Sequence, residues 1–204
     1  TTVGVIGDST FKHSGITGLI DIGYNKGIST VIVLDNSITG MTGHQNNPAN
    51  GLTIRNDPTV AVNLEALAHA IGIRSVRVVD PFNVAATKKA VSEELLKEEP
   101  SLIISRRPCA LLKTVRHENP LVVNNEKCVG CKACLSVGCP ALSHTAVDGK
   151  NRALIDENQC VGCGACLAHC PQRCIEEGTP YRIRQEHCLH CGSCLEHCPV
   201  NAVE

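Results

Sequence analysis

Aromatic side chains are nearly missing from this chain. Its 204 residues include two Phe, two Tyr and no Trp, so any core must be built from Val, Ile, Leu and Ala. Charge of either sign is not in excess. Nineteen Lys and Arg face twenty Asp and Glu, for a formal net charge of −1, which gives no electrostatic footprint for a nucleic-acid partner or a membrane surface. No apolar run approaches the roughly 20 residues of a membrane span. The sequence given has neither a secretory leader nor an initiator Met, and it opens on Thr1-Thr2-Val3-Gly4-Val5-Ile6, which reads as the inside of a strand. We therefore expect a cytoplasmic protein and a fragment of a longer polypeptide, which an intact mass checks. The length suits one medium domain or two small ones.

Cysteine is what the chain has in excess. There are fourteen, and twelve fall in three successive runs. The first is Cys128, Cys131, Cys134 and Cys139-Pro140. The second is Cys160, Cys163, Cys166 and Cys170-Pro171. The third is Cys188, Cys191, Cys194 and Cys198-Pro199. In a reducing compartment such thiols are metal ligands rather than disulfides. C-x2-C-x2-C followed by Cys-Pro is the bacterial ferredoxin spacing for [4Fe–4S] clusters. Structural zinc, which takes two C-x2-C pairs, fits it poorly. We expect three clusters, and at least two. In two-run ferredoxins the remote cysteine ligates the other run's cluster, so here either runs one and two or runs two and three exchange ligands. Run one has one residue more before its last cysteine. The two remaining cysteines read as a buried strand residue (Cys109) and a residue packed beside a cluster (Cys174).

Residues 3–106 alternate strand and helix. Val3–Ile6, Thr30–Leu34, Ser75–Val79 and Leu102–Ser105 read as strands, the first two buried. Helices are expected from Ser14, as N-cap, to about Lys26, over Thr59–Ile71 stopped by Gly72, and over Asn83–Glu99. The pattern predicts an α/β fold, a parallel sheet with covering helices. A small α+β ferredoxin-like iron–sulfur region follows it. The expected boundary divides residues 1–120 from 121–204. Short strands at Ala153–Asp156 and Tyr181–Arg184 precede the second and third runs, giving a repeat of about 30 residues held together by metal rather than by apolar burial.

Two loops then stand out. Gly7-Asp8-Ser9 follows the first strand and Asp35-Asn36 follows the second, so both lie at the carboxyl ends of neighbouring parallel strands, where such sheets bind ligands. Asp8 and Asn36 are hard oxygen donors suited to Mg²⁺ shared with a diphosphate, and helix N-termini would face the same phosphates. The competing reading is that these are ordinary turn and cap residues. Asn36–Asp57, rich in Gly, Asn and Pro, is long enough to be functional.

The wider stretches GDSTFKHSGITGL at 7–19, VIVLDNSITGMTGHQ at 31–45 and SRRPCALL at 105–112 resemble the 2-oxoacid:ferredoxin oxidoreductases. The resemblance is closest to the C-terminal part of the indolepyruvate branch's α subunit and covers nearly all of residues 1–175. It implies a thiamine-diphosphate-binding fold and Mg²⁺ held by Asp8, Asn36 and the Ile38 carbonyl. Gly7, Ser9 and Thr10 would lie against the diphosphate, with Thr42 and Gly43 in the adjoining loop. His13 would be the catalytic or substrate-contacting residue, ahead of His44 and Gln45. The implied reaction is oxidative decarboxylation of an aryl 2-oxoacid to an acyl-CoA in anaerobic metabolism, with electrons leaving through the clusters to an external ferredoxin. Two departures stand out: a third cysteine run, and no stretch like the pyrimidine-binding domain that carries the activating glutamate. That domain would belong to a longer chain or another subunit, with a second oxidoreductase subunit, CoA and an oligomer completing the enzyme. The other readings are a related enzyme for pyruvate, 2-oxoglutarate or branched 2-oxoacids, and a polyferredoxin-like electron-transfer subunit with no catalysis of its own.

Overall fold

A computed structural model describes residues 2–110, 112, 115, 118–147, 149–178 and 188–197. The expected Tyr181–Arg184 strand and Cys198-Pro199 lie outside them. The chain divides into two compact units, Thr1–Leu112 and Lys113–Glu204. Among the described residues no helix is long and apolar enough to cross a membrane.

In the first unit β1 (Thr2–Gly7) leads into a helical stretch made of α1 (Asp8–Thr10), a π-helical turn (Phe11–Gly15) and α2 (Ile16–Tyr24). Then come β2 (Ser29–Asp35), α3 (Leu64–Ile71), β3 (Ser75–Val79), α4 (Val84–Leu95) and β4 (Ser101–Arg106). The strands form one parallel sheet in the order β1-β2-β4-β3. Its core gathers Phe11, Leu19, Val33, Leu64, Ala68, Ile73, Leu102 and Ile104. These are aliphatic but for Phe11, as the shortage of aromatics requires.

Several boundaries differ from the sequence reading. β1 is not buried: it is an edge strand paired with β2 alone, and Val3 and Val5 are 45% and 61% exposed. The first helix does not begin at Ser14. It starts at Asp8, directly off β1, with Gly7 at the N-cap and no side-chain cap; a carboxylate in the first turn suits the helix dipole there. Ser14 lies inside the π turn, where its hydroxyl donates back to the Thr10 carbonyl at 3.3 Å. The helix ends at Tyr24, and Lys26 takes the left-handed conformation, φ 52°. Helix α3 begins five residues later than Thr59, because the Asn63 side chain accepts from the Ala66 N–H at 2.8 Å and caps it there. The preceding residues are held extended by Thr59 N–H to Gly51 O and Val62 N–H to Pro48 O. Gly72, at φ 102°, closes α3 as expected. Asn83 caps α4 as expected, but α4 stops at Leu95.

The second unit has less regular structure. β5 (Leu121–Val123) pairs antiparallel with β8 (Ile175–Glu177), and β6 (Leu142–Val147) forms a hairpin with β7 (Lys150–Ile155). A 3₁₀ turn (Ala133–Val137), α5 (Ala165–Ala168) and α6 (Ser193–His197) follow the cysteine loops of runs one, two and three. The expected strand at Ala153–Asp156 is the end of β7. The sequence reading lacks its partner β6, although Gly149, at φ 73°, is a turn residue. Among the described residues, five of the eleven buried in this core are cysteines: Cys128, Cys134, Cys160, Cys166 and Cys174.

Candidate functional site

Parallel register sets the first site. Gly7 pairs with Leu34 and Asp35 with Arg106, so the residues that follow β1, β2 and β4 emerge at one sheet edge. Asp8 is buried, 3% exposed. Its Oδ2 accepts from Lys12 Nζ at 2.7 Å and from Asn47 Nδ2 at 3.1 Å, and Lys12 Nζ also donates to Asn47 Oδ1 at 3.1 Å. The Lys12 and Asp8 side chains are each 4% exposed. A carboxylate so deeply placed needs a cation beside it, and the lysine ammonium supplies one.

The loop after β2 is shaped by consecutive side-chain turns. Asp35 Oδ1 accepts from Ser37 N–H and Asn36 Oδ1 from Ile38 N–H, each at 3.1 Å. Ser37 is left-handed at φ 63°, and such Asx turns make that conformation accessible. Ile38 is buried at 5% exposure. The Thr39 hydroxyl donates to Ser9 Oγ at 2.9 Å, which joins the Asn36–Ile38 loop to the first helical turn. The Asn36 carbonyl accepts from Cys109 N–H at 2.9 Å, so the segment after β4 folds over the same loop. Cys109 is thus a half-buried loop residue, not a buried strand cysteine, with its Sγ 3.9 Å from His44 Nε2.

Arg106 braces this edge. Nε donates to Asp35 Oδ2 at 2.7 Å, and both terminal nitrogens bond the Glu65 carboxylate at 2.8 and 2.9 Å. The guanidinium hydrogen bonds hold Glu65 below the usual carboxylate range, and Arg106 is raised in turn. Asp35 is therefore a structural acceptor. Of the other residues singled out, Thr42 and Gln45 bond each other, Thr42 Oγ1 to Gln45 Oε1 at 2.6 Å, beside Gly43 at φ 111°. His13 is exposed on the π turn, Thr10 is exposed, and Gly7 has open space where a Cβ would stand. Lys12, Asn47, Glu65 and Arg106 were missed by sequence reasoning; the local signals were the i, i+4 spacing of Asp8 and Lys12 and Asn47-Pro48, marking a turn.

The thiols form the second site. Cys128, Cys131 and Cys134 ring a cavity together with Cys170 and Cys174. Cys160, Cys163 and Cys166 ring another with Cys139. The last cysteine of run one thus lines the cavity of run two, and that of run two the cavity of run one.

The loops share one backbone. Two left-handed residues recur two and four positions after the first cysteine: Gly130 and Lys132, Gly162 and Gly164, His190 and Gly192. Such turns point successive N–H groups inward, a nest for anionic sulfur. A Cβ on Gly130 would strike the Asn151 carbonyl oxygen, and one on Gly162 would lie 2.6 Å from the Asn119 carbonyl.

Burial and thiolate crowding oppose ionisation here, and hydrogen bonds favour it. Burial raises Cys128 and Cys170, but hydrogen bonds outweigh it and both thiols are lowered. Cys166 is pushed up to about 11 by burial and by the charges of Cys160, Cys163 and Cys139. Cys174, with Sγ 3.3 Å from that of Cys170, is pushed up to about 12 by burial and by its hydrogen bond with Cys170.

Comparison with known proteins bears on both sites. Residues 1–105 match the model for "Thiamine pyrophosphate enzyme, C-terminal TPP binding domain". The chain belongs to the thiamine pyrophosphate enzymes. Residues 120–171 and 152–199 match a 4Fe-4S dicluster domain, so this thiamine pyrophosphate enzyme chain carries iron–sulfur domains behind its cofactor domain. It is similar to indolepyruvate oxidoreductase subunit IorA of Pyrococcus horikoshii, with 40% identity over 157 residues, 74% of this chain and 24% of the relative. The IorA subunits of Archaeoglobus fulgidus and Methanothermobacter thermautotrophicus are 37% and 36% identical over 69% of this chain, each over 23% of its own length. The chain thus spans about a quarter of the length of these relatives.

Proposed function

We propose that this chain supplies the diphosphate-binding half and the electron outlet of a 2-oxoacid:ferredoxin oxidoreductase that acylates CoA. The observation that carries this reading is the fusion, in one chain, of a thiamine pyrophosphate domain with a 4Fe-4S dicluster domain. The bound cofactor supplies decarboxylation chemistry that ends in two electrons, and one-electron clusters are suited to take them. The relatives' name supports indolepyruvate or another aryl pyruvate as substrate. We assign residues 1–120 to the cofactor domain and 121–204 to the ferredoxin-like domain.

The donor set suits Mg²⁺: a buried carboxylate from Asp8, the Asn36 amide oxygen and the Ile38 carbonyl, all oxygens, at one sheet edge. Asp8 already neutralises a buried cation, Lys12. Gly7, Ser9, Thr10, Thr42 and Gly43 would face the diphosphate, with His13 toward the substrate. Cys128, Cys131, Cys134 and Cys170 hold one cluster, and Cys160, Cys163, Cys166 and Cys139 the second. Cys188, Cys191, Cys194 and Cys198 hold a third, supported by the loop backbone that run three shares with the other two. A pyrimidine-binding domain, a second subunit, CoA and external ferredoxin complete the cytoplasmic enzyme.

The test is to purify the complex anaerobically and measure CoA-dependent ferredoxin reduction with a panel of 2-oxoacids. Indolepyruvate should give the highest kcat/KM, and about twelve Fe per chain should be found, four per cubane cluster. Reduction without thiamine diphosphate, or with no 2-oxoacid at all, overturns the reading. About eight Fe removes the third cluster.

A further inference from the structure

The two cysteine-ringed cavities differ in what else lines them. Around the Cys160–Cys139 cavity the other lining side chains are aliphatic except Gln159, whose Nε2 is already bonded to Asp156 Oδ2 at 2.8 Å. The Cys128–Cys170 cavity is lined in addition by Lys132, His144 and Cys174. Each of these three carries a proton it can donate.

His144 is the most telling of them. It lies in β6, opposite Ala153 of β7. Both ring nitrogens are shut from solvent, and among the described residues neither has a hydrogen-bond partner. Either neutral tautomer of imidazole carries one N–H, and leaving that donor unsatisfied costs about 1–3 kcal/mol. The ring lines the cavity where thiolate and cluster sulfur would be concentrated, and these are the acceptors the site offers. Cys174, 3.3 Å from Cys170 Sγ, offers a second donor directly to a ligand sulfur.

Hydrogen bonds and positive charge stabilise the more negative, reduced state of a cluster and so raise its potential. We propose that the cluster at Cys128, Cys131, Cys134 and Cys170 is the higher-potential member of the pair, raised by an N–H from His144 to cluster or ligand sulfur with Cys174 as second donor. The first electron to enter the pair rests there. The cluster at Cys160, Cys163, Cys166 and Cys139 is reduced second. This rests on the ligand sets given above; iron and sulfide analysis tests those, and the midpoints below test this.

The experiment is an EPR-monitored redox titration of the full holo chain with dithionite, independent of thiamine chemistry. Cys131→Ser and Cys163→Ser, each exposed ligands, identify the two midpoints; Cys191→Ser identifies any signal of run three. Cys131→Ser should move the higher midpoint of the pair. His144→Leu should lower that same midpoint by a tenfold change in its reduction equilibrium, about 59 mV for one electron, and leave the other in place. His144→Gln, which keeps an N–H donor, should restore most of it, and Cys174→Ala should lower it in the same direction. The proposal is overturned if Cys131→Ser moves the lower midpoint, if His144→Leu shifts neither or the wrong one, or if Leu and Gln at 144 both lose iron.

Discussion

Asp8 and Lys12 form a pair whose structural and ligand-binding roles can be separated. The two side chains are each 4% exposed and lie 2.7 Å apart. Asp8→Ala strands the ammonium, with Asn47 Oδ1 as its remaining partner. Removing one partner of a buried ion pair costs about 3–5 kcal/mol. In a unit of about 110 residues, 3 kcal/mol lowers Tm by about 12 °C or more. Lys12→Met strands the carboxylate and should cost a similar amount. The double variant leaves no orphan charge, so it should be far more stable than the sum of the singles implies, with a coupling of at least 2 kcal/mol. Urea unfolding followed by far-UV circular dichroism measures all four proteins. Costs under about 1 kcal/mol for each single variant, the level of an exposed pair, would refute the buried-pair reasoning. Adding Mg²⁺ and thiamine diphosphate then tests the ligand role. Wild type and Lys12→Met should gain stability by mass action, while both Asp8→Ala proteins should not. If the double variant still binds the cofactor with Mg²⁺ dependence, Asp8 is not a metal ligand.

Other expectations follow from the same kind of accounting. Cys170→Ser should remove the cluster of run one and Cys139→Ser that of run two, each lowering iron by about four per chain in colorimetric analysis. Gly130→Ala, whose Cβ meets the Asn151 carbonyl at φ 70°, should abolish assembly of the first cluster. Gly164→Ala, at φ 75° with open space, should cost only about 1–2 kcal/mol. Glu94 is buried; burial raises its carboxyl, but hydrogen bonds from Lys97 and Ser75 and the charges of Lys97 and Arg77 outweigh this and hold it below normal. A depressed carboxyl contributes stability above its unfolded value, about 4.3, and loses it as pH falls through the folded one. The urea midpoint should therefore drop on acidifying below about pH 4, and Glu94→Gln should flatten that drop while costing about 1.5–3 kcal/mol at neutral pH.

Regular periodicity made much of the first unit legible. The four strands, the parallel sheet, Asn83 as a cap and Gly72 as a stop are local signals, and each fell where the sequence put it. Exposure of β1 was not legible, because Val3-Gly4-Val5-Ile6 has the same composition whether a strand is central or at an edge; only the order β1-β2-β4-β3 decides it. The helix start at Asp8 was hidden by Ser14, a good cap residue that instead bonds back into a π turn. At the candidate site, Asp8 and Asn36 were legible from chemistry and spacing. Asn47, Glu65 and Arg106 were not, since their roles come from contacts spanning up to 71 positions for Arg106 with Asp35; Lys12, four residues after Asp8, was hidden because that spacing alone does not say that the pair is buried. The cysteine runs were plain in the sequence, but which run's last cysteine lines which cavity depends on the three-dimensional fold.

A core that buries cysteines among its aliphatic residues means that the two units depend on different things to stay folded. The aliphatic core of the first needs only water to be excluded. The second buries Cys128, Cys134, Cys160 and Cys166 where another domain would bury leucine, so cluster binding becomes folding free energy by linkage. Iron starvation or oxygen damage would then register as a foldedness signal confined to one end of the chain. A protease patrolling for loose segments would find the second unit open and the first closed, and the cell would read cofactor status as chain length.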